Sequence, residues 1–312
     1  MSRYLVAGGA GLIGSHLCSR LIDQGAEVVC VDNLVTGSKE NLDALLTSPN
    51  LTLVEADICD PLEVQGPLDA VINLACPASP ADFGPLGVEI LRVGSAGVLN
   101  LLDLARAHGA RFLQASTSEV YGDPLEHPQS ETYWGNVNPI GPRSVYDEAK
   151  RFGEAAVMAH HRRYGTIVRI ARIFNTYGPM MRPDDGRVVS NFVTAALRGT
   201  PLTVYGDGSQ TRSLCYVSDE VTGLLALLHS DCPGPVNIGN DEEWTVLSIA
   251  EAVIELSGSP STIDFVARPT DDPSLRRPDL TLARSLLGWG PTTPVREGLA
   301  LTIEWFRGRM QD

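Results

Sequence analysis

Short apolar runs alternate with amphipathic stretches over roughly the first 178 residues of the chain. The runs are rich in Val, Leu and Ile and are bounded by turn residues, so they predict buried strands. The predicted strands are Arg3–Ala7, Glu27–Val31, Leu51–Glu55, Ala70–Leu74, Arg111–Ala115 and Thr166–Ile173. Three stretches between them are predicted to be helices, namely Leu12–Gln24, Val88–His108 and Tyr146–Tyr164. Because strands that alternate with helices form βαβ units, the pattern predicts an α/β fold with a doubly wound parallel sheet.

The pattern changes after about residue 178. Loops rich in Gly, Pro, Asp and Arg, including residues 268–273, separate shorter elements. The helices predicted here are Val188–Leu197, Asp219–His229, Val246–Leu256, Leu282–Leu287 and Arg296–Arg307. We therefore predict a larger unit at residues 1–178, and a second part at 179–312 that forms mainly a smaller lobe over the carboxyl edge of the sheet.

Composition narrows the classes of partner. The chain has 312 residues, 43% of them hydrophobic, and a net charge of −14. A surface this acidic argues against nonspecific nucleic-acid binding and against an anionic membrane surface. Six cysteines without a C-x-x-C pair, and histidines without a metal spacing, predict reduced thiols and no metal site. The N-terminal residues run directly into the first strand without a signal-like or membrane-spanning segment, so we expect a cytoplasmic protein with no membrane partner.

A glycine-rich loop lies between the first predicted strand and the first predicted helix. Gly8, Gly11 and Gly14 have G-x-x-G-x-x-G spacing, which allows a tight turn and lets backbone approach a pyrophosphate at the helix N-terminus. Asp32 ends the second strand, where a carboxylate can accept hydrogen bonds from ribose hydroxyls and would repel a 2′-phosphate. The loop and this acid together predict NAD rather than NADP. Asp57, at the end of the third strand, is a weaker candidate for a residue near the adenine.

Tyr146 and Lys150 are four positions apart on a predicted helix and therefore share one face. A nearby ammonium favours phenolate, so Lys150 is predicted to lower the pKa of Tyr146 and make it a usable base. Ser118 follows the fifth strand, at the sheet edge where doubly wound folds bind ligands. A hydroxyl there could hold a sugar oxygen and relay a proton.

The glycine loop, Ser118, Tyr146 and Lys150 resemble the extended short-chain dehydrogenase/reductase family of nucleotide-sugar enzymes. Longer segments are similar to the branch of this family that decarboxylates UDP-glucuronate, among them STSEVYGDP from residue 116, ARIFNTYGP at 171–179 and PLTVYGDGSQTRS at 201–213. The resemblance covers essentially the whole chain. It implies a Rossmann domain that binds NAD at 1–178 and a mainly substrate-binding lobe at 179–312.

Residues 118 and 119 separate the branches of this family. The 4,6-dehydratases place Asp-Glu after the threonine, with the Asp as acid, and typical 4-epimerases lack the Glu. The pair Ser118-Glu119 resembles the decarboxylases. The resemblance then implies oxidation at C4 of UDP-glucuronate with Tyr146 as base, loss of CO2 from the 4-keto sugar, and reduction to UDP-xylose. It places Glu119 near the substrate carboxylate, where like charge would strain the ground state, and it places Arg276 facing the carboxylate or C5.

Two sets of binding residues are expected from the loop and the resemblance. The expected NAD contacts are Gly8, Gly11, Leu12, Ile13, Gly14, Asp32, Asn33, Asp57, Ile58, Leu74, Cys76, Ala115, Tyr146 and Lys150. The expected substrate contacts are Arg92, Glu119, Asn175, Thr176, Arg182, Arg187, Tyr205, Arg212 and Arg276. The arginines suit the phosphates and carboxylate of UDP-glucuronate. The family also implies a homodimer formed through Val88–His108 and Tyr146–Tyr164.

Two alternatives stay open. A C4-epimerase of a UDP-uronic acid would share NAD, Tyr146 and Lys150 but keep the carboxylate. A catalytically inactive NAD-binding scaffold is the alternative outside the enzymes, and the complete set of Tyr146, Lys150, Ser118 and Glu119 argues against it.

Overall fold

The computed structural model describes residues 1–268 and 274–310. Its first strands follow the apolar runs: β1 (Arg3–Ala7), β2 (Glu27–Asp32), β3 (Leu51–Glu55), β4 (Ala70–Asn73), β5 (Arg111–Thr117) and β6 (Val168–Ile173). The second half of the chain adds β7 (Thr176–Tyr177), β8 (Leu202–Tyr205), β9 (Thr211–Ser213), β10 (Cys215–Tyr216), β11 (Val236–Ile238), β12 (Glu243–Thr245) and β13 (Ile263–Val266). The central sheet is parallel and has the order β11-β6-β5-β4-β1-β2-β3. The predicted doubly wound α/β fold is confirmed.

Helices cover both faces of this sheet. They are α1 (Leu12–Asp23), α2 (Gly87–Arg92), α3 (Val98–His108), α4 (Ser144–Tyr164), α5 (Val188–Arg198), α6 (Val217–His229), α7 (Val246–Ser257), α8 (Thr281–Leu287) and α9 (Val295–Arg309). The apolar stripe of each helix faces the core, as Leu17 and Leu21 do on α1. Among the helices of the described residues, none is long and apolar enough to cross a membrane.

The stretch predicted as one helix at Val88–His108 contains a wider turn. Residues Val93–Gly97 have π-helical geometry and separate α2 from α3. The turn coincides with two close approaches: a Cβ on Gly94 would lie 2.6 Å from the Cβ of Ala149, and one on Gly97 would lie 2.7 Å from Ile58. At Gly94 the wide turn therefore packs closely on α4, which carries Tyr146 and Lys150.

The second half of the chain does not form only a lobe. Strand β11 pairs with β6 and extends the central sheet, and α6 packs its Val221 and Leu224 into the same apolar cluster as Leu17 of α1. A separate cluster of α5, α7 and α9 forms the lobe's own core, with Phe192, Val253 and others fully buried. The boundary at residue 178 stays a prediction, and residues 269–273 of the predicted loop and 311–312 of the predicted lobe lie outside the described residues.

Candidate active site

A cavity of about 330 Å³ opens at the carboxyl ends of β1, β4 and β5, between the sheet and the lobe. It brings together residues that are far apart in the sequence. The predicted site residues that line it are Gly8, Gly11, Leu12, Ile13, Gly14, Leu74, Cys76, Ala115, Ser118, Glu119, Tyr146, Lys150, Asn175, Thr176, Arg182, Arg187, Tyr205, Arg212 and Arg276. Parallel strands direct their carboxyl ends to one edge, which explains this convergence.

The glycine loop fits a dinucleotide. Gly8 has a φ of +75°, and a Cβ on it would lie 2.7 Å from the nitrogen of Ala75. A Cβ on Gly14 would lie 2.1 Å from the Gly8 oxygen, so α1 packs directly on the loop. Gly11 differs, because a Cβ there would approach only the Gly8 oxygen, at 3.4 Å, and would otherwise enter the cavity. This open cradle at the N-terminus of α1 suits the pyrophosphate of NAD.

Asp32 is held at the end of β2 in the geometry expected of a ribose acceptor. Its carboxylate accepts hydrogen bonds of 2.9 Å from the backbone N–H of both Ala10 and Leu34. Asn33 donates to the carboxylate of Asp57 at 3.2 Å, so these acids and the amide form one polar group beside the loop. None of the three lines the catalytic cavity, in agreement with a position for the adenosine end of the cofactor.

Two predicted contacts lie elsewhere. The Ile58 side chain is 4% exposed and packs in the core against Gly97, so it does not face the cavity. Arg92 was expected to bind substrate, but it is exposed on α2 and is not among the cavity-lining residues. Its charge acts on Asp57, where burial opposes ionisation while hydrogen bonds from Cys59 and the Arg92 charge lower the pKa. The structure therefore places Arg92 near Asp57 rather than in the cavity.

Tyr146 and Lys150 are both 6% exposed on the first turns of α4. The Lys150 ammonium donates to the carbonyl of Ala115 at 2.9 Å and lies 5.6 Å from the centre of the Tyr146 ring. Phe83 stacks on that ring, with centroids 5.2 Å apart. The phenol is thus fixed in an apolar contact while the ammonium is held at the end of β5.

The predicted lowering of the Tyr146 pKa is wrong for this structure. Burial raises the pKa of Tyr146, and the nearby Cys76 thiol adds to the increase. A hydrogen bond with Thr117 lowers it in part, whereas Lys150 is not among the groups that shift it most. The sequence shows the Tyr–Lys spacing but not the desolvation of the phenol, which depends on tertiary packing.

Glu119 lies between two guanidinium groups. Its Oε2 accepts from Arg143 at 2.7 Å and from Arg276 at 3.2 Å, and its side chain is 15% exposed. Burial would raise the pKa of Glu119, but the charges of Arg276 and Arg143 outweigh it and hold the pKa at about 2. Glu119 is therefore ionised near neutral pH and cannot serve as an acid, and the cluster carries a net positive charge.

Among the cavity-lining residues that were not predicted from the sequence, Phe83, Thr117 and Arg143 interact directly with Tyr146 or Glu119. Arg143 lies one helical turn before Tyr146 and Thr117 directly precedes Ser118, so spacing could have indicated both. For Phe83, no sequence signal indicates its stacking on Tyr146. The Thr117 side chain is hydrogen-bonded to Tyr146 and partly offsets the rise in its pKa.

The remaining predicted substrate residues differ in how they are engaged. Arg182 donates to Asp82 at 2.9 Å, and Arg187 lies 3.5 Å from Asp185. The Thr176 hydroxyl already donates to a backbone carbonyl at 2.9 Å, so it is less available than predicted. The Asn175 side-chain nitrogen is buried without a hydrogen-bond partner among the described residues. An orphaned donor on the wall of a cavity is what an anionic or polar ligand would satisfy.

Asp147 is a buried acid next to the base. It is 6% exposed, its Oδ1 has no partner within the described part of the chain, and burial together with the Glu119 charge raises its pKa to about 7. The folded state therefore binds a proton more tightly than the unfolded state, whose carboxyl has the ordinary value of 3.8. Ionisation of Asp147 should cost stability progressively as the pH rises from about 4 through about 7.

We expect Asp147→Asn to become more stable than the wild type as the pH rises, because the amide has no charge to bury. The gain should be on the order of 2 kcal/mol at about pH 8 and near zero at about pH 4. Urea unfolding across this pH range measures it, with Glu148→Gln on the same helix as a control that should show no such trend. A pH-independent difference between Asp147→Asn and the wild type would contradict the prediction.

Comparison with known proteins agrees with this geometry. Residues 4–239 match the family described as "NAD dependent epimerase/dehydratase family". The chain is 53% identical to UDP-glucuronic acid decarboxylase 1 of Arabidopsis thaliana over 308 residues, which is 99% of this chain and 70% of that protein.

Solved structures are similar over nearly the whole chain. UDP-glucose 4-epimerase of Thermotoga maritima, with UDP-glucose, has a TM-score of 0.90 at 30% identity and 99% coverage of both chains. UDP-glucuronic acid 4-epimerase of Bacillus cereus, with UDP-glucuronic acid and NAD, has a TM-score of 0.86 at 26% identity and covers 98% of this chain and 99% of its own. The fold thus serves several reactions on nucleotide sugars, and the site residues have to distinguish among them.

Proposed function

The chain belongs to the NAD dependent epimerase/dehydratase family and, within it, to the UDP-glucuronic acid decarboxylases, and we propose that it converts UDP-glucuronate to UDP-xylose and CO2. The observation that carries the proposal is the cluster of Glu119, Arg143 and Arg276 in the same cavity as Tyr146 and Lys150. Tyr146 and Lys150 can remove a proton from a sugar hydroxyl. The cluster of Glu119, Arg143 and Arg276 provides positive charge for a sugar carboxylate.

The first step is proton removal at O4. Tyr146 takes the proton, with Lys150 fixed beside its ring and Thr117 hydrogen-bonded to it. The glycine loop and Asp32 would hold NAD, which would supply hydride exchange at C4. Because burial raises its pKa, Tyr146 can take this proton only in its phenolate form, and it then holds the proton firmly until the proton returns to O4.

The second step is loss of the carboxylate. In a 4-keto sugar the carboxylate on C5 is β to the carbonyl, so the electron pair of the breaking bond moves into an enolate and CO2 leaves. Arg143 and Arg276 can orient the carboxylate, but cations that held it too strongly would oppose its conversion to neutral CO2. Glu119 already occupies both guanidiniums, which limits this effect. Its two ion pairs also reduce the like-charge strain expected from the sequence.

Product analysis tests the proposal. Purified protein incubated with UDP-glucuronate and NAD should release CO2 and a nucleotide sugar with the mass of UDP-xylose. A UDP-uronic acid of unchanged mass would instead support the C4-epimerase alternative, which the likeness to the Bacillus cereus enzyme makes the second candidate. Recovery of unaltered substrate, with NAD bound to the protein, would support an inactive scaffold.

We also propose that the protein is a cytoplasmic homodimer. Apolar side chains on adjacent helices are unusually exposed: Val88 (67%) and Leu91 (43%) on α2, Leu99 (44%) on α3 and Phe152 (44%) on α4. A second copy of the chain packed on this face would bury these side chains. The face lies on the two helical segments, Val88–His108 and Tyr146–Tyr164, that were predicted to form the dimer interface. All six cysteines are free thiols, as a reducing compartment would keep them.

Phe152→Asp should convert the dimer into a monomer, because a charge at the centre of an apolar interface is costly to desolvate. Sedimentation equilibrium measures the change. Leu286→Asp is the matched control, since Leu286 is similarly exposed, at 53%, on α8. A wild-type protein that is monomeric at micromolar concentration, or a Phe152→Asp protein that remains dimeric, would overturn this part of the proposal.

A further inference from the structure

Gln129 lies outside the cavity but is bonded to the segment that follows Arg276. It is fully buried, its N–H donates to the Arg277 carbonyl at 2.9 Å, and its Oε1 accepts the Arg277 N–H at 2.9 Å. Its own carbonyl accepts the N–H of Asp279 at 2.8 Å. Three hydrogen bonds from one residue therefore fix the backbone immediately after Arg276.

Arg276 depends on such an anchor. Its side chain is 1% exposed and ends in two contacts, a 2.7 Å bond to the Ser118 carbonyl and a 3.2 Å bond to Glu119. Holding a long side chain such as that of Arg276 in one rotamer costs conformational entropy. A mobile backbone would add to this cost, so the side chain needs a fixed backbone beside it to keep its position. The bonds from Gln129 provide this fixed point.

A second link ties the anchor to the catalytic turn. Asn237, also fully buried, donates from Nδ2 to the carbonyls of Gln129 at 3.0 Å and Asp279 at 3.1 Å. Its Oδ1 accepts from the Tyr121 hydroxyl at 2.8 Å, and Tyr121 belongs to the turn Ser118–Tyr121. The anchor of Arg276 and the turn that carries Glu119 are thus parts of one buried hydrogen-bond network, which makes their relative position rigid.

We propose that Gln129 is a positioning residue that sets Arg276 against Ser118 and Glu119, and thereby governs the steps at C5 without touching substrate. The inference rests on the proposed decarboxylase reaction. An amide suits this place because it has to donate and accept at once: Nε2 donates to the Glu126 carbonyl at 2.8 Å while Oε1 accepts from Arg277. An apolar side chain would make neither hydrogen bond, and a side chain that only donates could not accept from Arg277.

The expected consequence is a separation of the steps. Oxidation at C4 relies on Tyr146 and Lys150, which Gln129 does not contact. Loss of the carboxylate and protonation of C5 take place where Arg276 points. A displaced Arg276 should therefore leave C4 oxidation intact and slow the steps at C5, so that 4-keto sugar and reduced nicotinamide accumulate.

The experiment compares Gln129→Met, which removes the acceptor for Arg277, with Gln129→Glu, which keeps an oxygen there. For Gln129→Met we expect kcat for UDP-xylose to fall about ten- to hundredfold with KM changed by less than about threefold. Mass analysis should show 4-keto products, and absorbance should show reduced nicotinamide. Gln129→Glu keeps the acceptor for Arg277 but loses the donor to the Glu126 carbonyl and buries a carboxylate, so it should recover only part of the rate. The exposed control Gln24→Met should match the wild type.

A double-mutant cycle with Arg276→Ala adds a second criterion. If Gln129 acts through Arg276, adding Gln129→Met to Arg276→Ala should cause little further loss. Additive losses, or a folded Gln129→Met protein with normal kcat and no 4-keto product, would overturn the inference. Should Gln129→Met not fold, Asn237→Asp removes the two donors of the same network and must show the same accumulation. A wild type that releases no CO2 would instead refute the proposed function itself.

Discussion

Replacing Tyr146 with Phe should lower the rate of UDP-xylose formation by about a thousandfold or more, because proton transfer by a positioned side chain is typically worth about 10²–10⁴ in rate. The ring should keep its place, since Phe83 stacks on it at 5.2 Å and only the hydroxyl is removed. NAD content should be unchanged, because the glycine loop and Asp32 are not in contact with the deleted oxygen. Rate assays with UDP-glucuronate, and NAD released on denaturation, measure the two effects.

Tyr164→Phe is the control for this experiment. Tyr164 lies at the far end of the same helix, is 47% exposed and does not line the cavity. Its loss of a hydroxyl should leave turnover unchanged. If Tyr146→Phe kept a rate within about tenfold of the wild type, the assignment of the base would be wrong.

Glu119→Gln should combine a loss of activity with a loss of stability. It leaves the guanidinium of Arg276, which is 1% exposed, without its carboxylate, and removing one partner of a buried ion pair typically costs about 3–5 kcal/mol. Because Glu119 is slightly exposed, we expect the free energy of unfolding to fall by about 2–3 kcal/mol at neutral pH. Activity should fall about a hundredfold or more, since Arg143 and Arg276 would then bind the substrate carboxylate too strongly or misalign it.

The loss of stability in Glu119→Gln should depend on pH, because the pKa of Glu119 is lowered in the folded state. The folded pKa of Glu119 is about 2 and the ordinary value is 4.5, so the stabilisation is complete above pH 4.5 and is lost as the pH falls towards 2. Urea unfolding should therefore show a gap between wild type and Glu119→Gln that narrows on acidification. The control Glu255→Gln breaks an exposed 2.7 Å ion pair with Arg296 and should cost less than about 1 kcal/mol. Equal effects of the two substitutions would contradict the role given to burial.

Local pattern was sufficient for six of the seven strands of the central sheet and for the glycine loop. The strands β1 to β6 are apolar runs next to turn residues. Gly8, Gly11 and Gly14 have the spacing typical of a loop that binds a dinucleotide between a strand and a helix. Tyr146 and Lys150 were predictable because four residues along a helix bring two side chains to one face. Each of these features is decided within a few residues of chain.

The features that escaped prediction depend on packing between distant segments. The pKa of Tyr146 is set by desolvation, which no spacing reveals. Arg92 was predicted to bind substrate because its segment matched, yet the face of α2 on which it lies is fixed by the packing of that helix. Strand β11 has three residues, too few for a periodic signal. Arg143 is the instructive case, since its position was visible one turn before Tyr146 but its partner Glu119 was visible only in three dimensions.

Strand β11 has a consequence for how the chain folds during its synthesis. It comes from residues 236–238 but completes the sheet beside β6, so the outer edge of β6 stays unpaired until the ribosome has released that segment. A fragment that stops at residue 178 would expose both this edge and the apolar surface that α6 covers, and such edges invite association between chains. Release of residues 1–178 as a separate fragment should therefore lead to aggregation.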